Sequence, residues 1–290
     1  MSTHASVPKR HAKIIVAFPS SVISKSENPL IASIRLATIA RAASIFRVER
    51  LLIYLEAKSL DDRRSQVVAR TILEYLATPQ YLRKNLFEKS AELKYAGALP
   101  PLRIPSHTVP NRLHEVKPGD FREGAILGKA HGIKVDVGLG VPFDLTNMAR
   151  VPKGRHLPVR ILDAERRLAE PVTREQLPFY WCYEVEAPES TLSSVLRSSA
   201  SSLKIATSRS GESVWKVLPN IARLLEGKEE VLLAFGSPSK GLSEILAEEK
   251  INLWQAFDLT LNAAVDQGVA TIRTEEAVLV SLAVLSDVIK

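Results

Sequence analysis

Three short runs in this chain, KIIVAF (13–18), LLIYLE (51–56) and VLLAF (231–235), are apolar almost without interruption. A strand that is apolar on both faces must be covered on both faces, which calls for a parallel sheet with helices on either side. LKIAT (203–207), FDLTL (257–261) and PFYWCYEVE (178–186) read as further strands of the same sheet. Between them lie helix signals. Asn28 followed by Pro29 places a capping side chain before a first-turn proline, predicting a helix over 29–46. A second helix is expected over 61–76, stopped before Pro79, with a short helical turn over 81–86. SRSG (208–211) then separates LKIAT from a helix reaching residue 225. A sheet of five or six strands in a doubly wound, mostly parallel α/β fold accounts for this pattern economically.

Residues 99–163 break the rhythm. FREGAILGKAHGIKVDVGLGVPFDL reads as short strands divided by glycine-containing turns, the pattern of a small β-barrel. The expected organisation is a basic arm over 1–12, an α/β domain over 13–98 and 164–290, and a β-barrel insertion over 99–163.

Composition excludes several classes. No apolar run approaches the roughly 20 residues that span a bilayer, and MSTHASVPKRHAK lacks the apolar core of a secretory signal. Cys182 is the single cysteine, which rules out internal disulfides and cysteine-rich zinc sites. The six histidines, His4, His11, His107, His114, His131 and His156, are scattered, so no metal site is expected. A cytoplasmic protein is the expectation. The formal charge of +7 suggests a polyanionic partner such as nucleic acid, although many proteins that bind none are equally basic.

AFGSPSKGL (234–242) places a glycine-bounded loop after a strand, the place where α/β proteins present backbone groups to ligands. It is not a phosphate loop: Lys240 precedes Gly241 rather than following it, and no Ser or Thr comes next. The dinucleotide fingerprint, H-E-x-x-H and G-x-S-x-G are also absent from the chain. A nucleotide-dependent α/β enzyme is therefore disfavoured.

The C-terminal stretch FDLTLNAAVDQGVATIRTEEAVLVSLAVL is the most informative. Thr274 is the expected N-cap of a last helix, with Glu275 and Glu276 in the first turn, where the helix dipole favours anions. From 277 to 289 that helix is apolar nearly all round, so it belongs in a core or against a second subunit. FDLTLN…DQG…TIRTEEAVLVSLA resembles the C-terminal segment of SPOUT-class RNA methyltransferases, in the archaeal and eukaryotic family with an OB-like insertion linked to ribosomal RNA methylation. AFPSSVIS, FREGAILGKA, FYWCYEVE, IATSRSG and AFGSPSKGL fit the same family, and IARAASIFRV (39–48) resembles a first motif carrying an arginine near the reaction centre, here Arg41.

The resemblance implies a deep C-terminal trefoil knot, an OB-like barrel that binds RNA, a homodimer, and S-adenosylmethionine held by three loops at 207–211, 235–241 and 262–271. The cofactor residues it implies are Thr207, Ser208 and Gly211; Phe235, Gly236, Ser237 and Gly241; and Asn262, Gln267, Gly268, Thr271 and Ile272. Arg41 and Arg273 are candidates for stabilising charge on the target base or its phosphate. Glu275 and Glu276 are candidates for orienting the base or taking its proton, beside their plainer role at a helix start. Arg273 has the plainer reading of a surface ion pair. Lys117, Arg122, Lys129, Lys134, Arg150, Lys153 and Arg155 are the cations expected to bind RNA on the insertion, where Phe121 and Phe143 stack on bases or fill the barrel. One departure stands out: Ala263-Ala264-Val265-Asp266 replaces the Cys-Pro that related sequences carry before Gln-Gly. The expected activity is S-adenosylmethionine-dependent methylation of ribosomal RNA, with uridine N3 as a candidate target atom. The alternative is a knot-fold RNA-binding or ribosome-assembly factor without catalysis.

Overall fold

The computed structural model describes residues 7–24, 27–107, 112–128, 133–147 and 156–289. Two compact units emerge. One comprises residues 10–77, 91–101 and 183–290, and the other residues 1–9, 78–90 and 102–182.

The first unit is a six-stranded, all-parallel sheet. Its strands are β1 (Lys13–Pro19), β2 (Arg50–Tyr54), β8 (Glu184–Glu186), β9 (Leu203–Ser213), β10 (Glu230–Ala234) and β11 (Leu259–Asn262), in spatial order β11-β9-β10-β1-β2-β8. The helices are α1 (Pro29–Ile45), α2 (Leu60–Ala77), α4 (Leu192–Ser198), α5 (Val214–Leu224), α6 (Leu242–Glu248), α7 (Leu253–Ala256) and α8 (Thr274–Leu285). Alternation of side chains along the strands explains the continuous apolar runs. Ile15 and Ala17, Leu52 and Tyr54, and Leu232 and Ala234 share one core with Leu196 of α4 and Ile245 of α6. Their neighbours Ile14, Val16, Leu51, Ile53, Val231 and Leu233 are equally buried and point the other way. Asn28 caps α1 as expected, its side chain accepting from Leu30 N–H at 2.9 Å.

The second unit holds α3 (Gln80–Leu86) and a closed barrel of β3 (Phe121–Gly128), β4 (Lys134–Asp136), β5 (Phe143–Leu145), β6 (His156–Asp163) and β7 (Leu168–Pro171). The barrel order is β3-β4-β5-β7-β6, with β5 and β7 parallel and every other pair antiparallel, an OB-like arrangement. Val135, Phe143, Val159, Ile161 and Ala169 fill it. Barrel strands continue to Pro171, past the expected bound at residue 163.

Three local expectations change. PFYWCYEVE is not one strand: only Glu184–Glu186 pairs with β2, while Trp181 is buried with its indole N–H donating to Glu123 at 2.6 Å. SRSG lies inside β9, whose pairing resumes beyond it. Thr274 is the first residue of α8 rather than its cap, and the helix ends at Leu285.

The arm expected over 1–12 is also anchored where it is described. Arg10 donates to Phe46 O at 3.0 Å, to Ser286 O at 2.9 Å and to Ile289 O. It thus sits at the C-terminal ends of both α1 and α8, where helix dipoles attract a cation. Burial, with Arg47 nearby, pushes Arg10 down to about 10, so it remains charged at neutral pH. Arg10→Met keeps the apolar stem and removes the donors. We expect it to lower unfolding stability by about 2 kcal/mol, measured by urea denaturation.

Candidate functional site

β9 is broken within its length, β10 and β11 break into loops at their carboxyl ends, and the three segments meet. Ile205 and Ala206 of β9 face Leu259 and Thr260 of β11, but the next pairs are Glu212 with Leu261 and Ser213 with Asn262. Residues 207–211 are therefore thrown out of the sheet. Gly211 closes this excursion against β11, where an added Cβ would lie 2.5 Å from the Leu261 carbonyl carbon. Only glycine lets the two backbones lie so close.

The second loop turns sharply. Ser237 N–H donates to Lys240 O at 2.9 Å and Lys240 N–H to Ser237 Oγ at 2.9 Å. A Cβ on Gly236 would stand 2.7 Å from Lys240 O and 3.1 Å from Gly241 Cα, so the turn has no room for a side chain there. Gly241 N–H donates to Glu244 Oε2 at 2.7 Å, which starts α6.

Asn262 ties the first loop to the third, accepting from Ala264 N–H at 2.9 Å and donating to Arg209 O at 3.0 Å. Arg209 in turn donates to Ala270 O at 3.0 Å. Three hydroxyls then fix the end of β10. Thr207 donates to Ala234 O at 2.9 Å, Tyr54 to Phe235 O at 2.7 Å and Thr274 to Gly236 O at 3.0 Å. Three consecutive carbonyls are thus held from β9, β2 and α8.

These loops and the first two turns of α8 enclose a cavity of about 390 Å³. Ten of the twelve expected cofactor residues line it: Thr207, Ser208, Phe235, Gly236, Ser237, Gly241, Asn262, Gln267, Thr271 and Ile272. Gly211 and Gly268 do not; Gly211 acts through strand spacing, and space around Gly268 is open to beyond 4 Å. Sequence reasoning missed Glu244 of α6 and Thr274, Ala277, Val280 and Ser281 of α8. Small residues at 274, 277 and 281, spaced three and four apart on an otherwise greasy helix, were the available signal.

The expected catalytic group does not assemble here. Glu275 turns into the protein and pairs with Arg35 at 3.1 Å, being a first-turn residue on the α1 side of α8. Glu276 accepts from Arg273 N–H at 2.9 Å, so it caps the helix. Arg273 is exposed and off the cavity lining, and Arg41 donates to Pro101 O at 3.3 Å, away from it. The charged residues on the lining are Arg209, Lys240 and Glu244. Lys240 lies 2.5 Å from Glu248 and 3.5 Å from Glu56, and its hydrogen bond to Glu248 holds its pKa above the ordinary lysine value.

On the barrel, Arg122 is a correction. Its guanidinium is buried, donates to Val137 O at 2.7 Å and lies over the Tyr81 ring, so it supports the barrel instead of meeting RNA. Phe143 is wholly buried and fills the barrel, whereas Phe121 is half-buried and packs edge-on against Phe179. Lys117 is exposed; Lys134 is exposed and paired with Asp144. Lys129, Arg150, Lys153 and Arg155 lie outside the described residues. Among the described residues no cluster of His, Cys, Asp and Glu is arranged to hold a metal, and no helix is long and apolar enough to cross a membrane.

A family model described as "Putative RNA methyltransferase" matches residues 13–285. An uncharacterized protein of Halobacterium salinarum is 31% identical over 287 residues, covering 93% of this chain and 98% of that protein. The human 28S rRNA (uridine-N(3))-methyltransferase is 30% identical over 305 residues, covering 93% of this chain and 77% of the human protein. The protein of that name from Drosophila melanogaster is 28% identical, covering 94% and 61%. With a match that runs from the first sheet strand into the last helix, and relatives that align along 93% of this chain, the chain belongs to this family of RNA methyltransferases.

Proposed function

We propose that the chain transfers a methyl group from S-adenosylmethionine to N3 of a uridine in ribosomal RNA. The observation that carries this reading is the cavity made by the excursion within β9 and the loops at the carboxyl ends of β10 and β11, on the side of the sheet where such folds usually bind ligands. Its volume, about 390 Å³, falls in the range of cofactor sites. The lining also fits: it is built from loop backbone, small side chains and hydroxyls, with Gly236 admitting no Cβ. The names of the human and fly relatives supply the target atom.

When bound, S-adenosylmethionine supplies an electrophilic methyl group. The residues of the chain then have to seat the uridine in line with it, exclude water and manage one proton. Methylation at N3 requires the N3 proton to pass to an acceptor, and the negative charge its departure places on the uracil is discharged when N3 takes the methyl. Arg209 and Lys240 are the cations on the lining that can face this charge, and Glu244 is its carboxylate. RNA beyond the target nucleotide is expected along the barrel, where Lys117 stands exposed.

We also assign a homodimer. The helices α1 and α8 carry apolar residues around their whole circumference, pack on each other, and leave Leu30, Ile31, Ile34 and Ile45 of α1 and Leu279 of α8 exposed.

Calorimetry with S-adenosylmethionine and tritium transfer from labelled cofactor to ribosomal RNA test the central reading. Binding with label recovered as N3-methyluridine is the expected result, and binding without transfer would favour the RNA-binding factor without catalysis. Gly236→Ala should weaken cofactor binding about tenfold, because the obstructing atoms are backbone, whereas Gly268→Ala should change it less than about threefold. For the dimer, Ile34→Glu combined with Leu279→Glu should halve the mass seen by light scattering. A wild-type monomer at micromolar concentration would sink the dimer assignment.

A further inference from the structure

Tyr54 is the odd member of the apolar second strand. It ends β2 with its side chain wholly buried among Leu196, Ile245 and Leu246, and its hydroxyl donates the 2.7 Å bond to Phe235 O. Phenylalanine would fill the same space without bringing a polar atom into an apolar core, at lower desolvation cost. Burial, reinforced by Glu56 and Glu249, pushes the hydroxyl pKa well above the ordinary tyrosine value, so it stays a protonated donor throughout the physiological range.

Phe235 is the hinge between β10 and the Gly236 turn. Its N–H is used by Ala17 O at 2.9 Å, continuing the β1–β10 ladder by one residue. Its carbonyl lies beyond the ladder, and Tyr54 is the sheet residue that holds it as the chain leaves β10. The carbonyls on either side are held by Thr207 and Thr274, which themselves line the cavity and belong to the first loop and to α8. Tyr54 alone among the three donors comes from the far side of the sheet and from outside the cavity.

We propose that Tyr54 is a positioning residue for the methyl-donor site, acting through the Phe235 carbonyl to hold the 235–241 loop in its binding-competent shape. This rests on the cofactor assignment above. Removing the hydroxyl leaves a buried carbonyl without its partner, and the loop relaxes toward shapes that satisfy it at the expense of the cavity.

The test compares Tyr54→Phe with Ile245→Val, a trimming of the same core that leaves the three carbonyl bonds and the cavity lining intact. Calorimetry with S-adenosylmethionine and with S-adenosylhomocysteine should show Tyr54→Phe binding both about tenfold more weakly, while Ile245→Val binds as wild type. Affinity for RNA should be unchanged in both variants, since the loop and not the RNA surface is disturbed. Melting temperatures of the two, measured alongside, separate loop shape from general loosening. If wild type binds the cofactor and Tyr54→Phe binds it equally well, or if both variants weaken together, the proposal is overturned. If wild type itself does not bind, the cofactor assignment falls first and takes this proposal with it.

Discussion

Three successive carbonyls at the end of β10, each captured by a hydroxyl from a different element, are the constraint on which the rest of the site depends. A parallel strand normally surrenders its hydrogen bonds at its carboxyl end, and the chain there is free to wander. Here β9, β2 and α8 converge on Ala234, Phe235 and Gly236, and the turn that follows can be as tight as Gly236 permits. The cost is specificity of sequence: Thr207, Tyr54 and Thr274 must all be present, and none can be replaced by an apolar residue of like shape without orphaning a carbonyl. The benefit is that the cavity walls are set before any ligand arrives, so binding need not order them.

The two loops flanking that turn are shaped by other means. The first is expelled from the sheet by a break in register, enforced where Gly211 lies flush against Leu261. The third is pinned by side-chain amides, with Asn262 bridging to Arg209 and Gln267 folding back on Val269 O at 2.8 Å. The three solutions are different in chemistry yet adjacent in space. They also explain the division of labour in the last helix: Thr274, Ala277 and Ser281 face the cavity, Glu275 is turned toward Arg35, and Glu276 closes the first turn.

Much of this was legible in the residues. Apolar runs such as KIIVAF announced a sheet covered on both faces, and Asn28-Pro29 announced the start of α1, because both signals are local. The cavity loops were legible through resemblance, and ten of twelve named residues fall on the lining because loops after strands are where such sheets bind. The roles of Glu275, Glu276, Arg273 and Arg41 were not legible. Which way a first-turn carboxylate points depends on what packs beside it, and Arg35 lies 240 positions away in sequence. Arg122 misled for the same reason, since a guanidinium in a barrel strand reads as surface until Tyr81 and Val137 are seen around it. PFYWCYEVE looked like one strand because nothing in its composition reveals that Trp181 answers to Glu123.

Arg10 joins groups separated by 276 positions when it donates to the Ser286 carbonyl. In a nascent chain its acceptor on Phe46 follows 36 positions later, whereas those on Ser286 and Ile289 come only with the end of α8. Sheet strands β1, β2 and β10 can pair while it waits, but the clasp over α1 and α8 can shut only after the C-terminal helix has been translated and has docked. Arg10 is in this sense a latch across the ends of two helices. Its closure follows the docking of α8 beside α1, so the Arg10 hydrogen bonds register that this helix pair has formed.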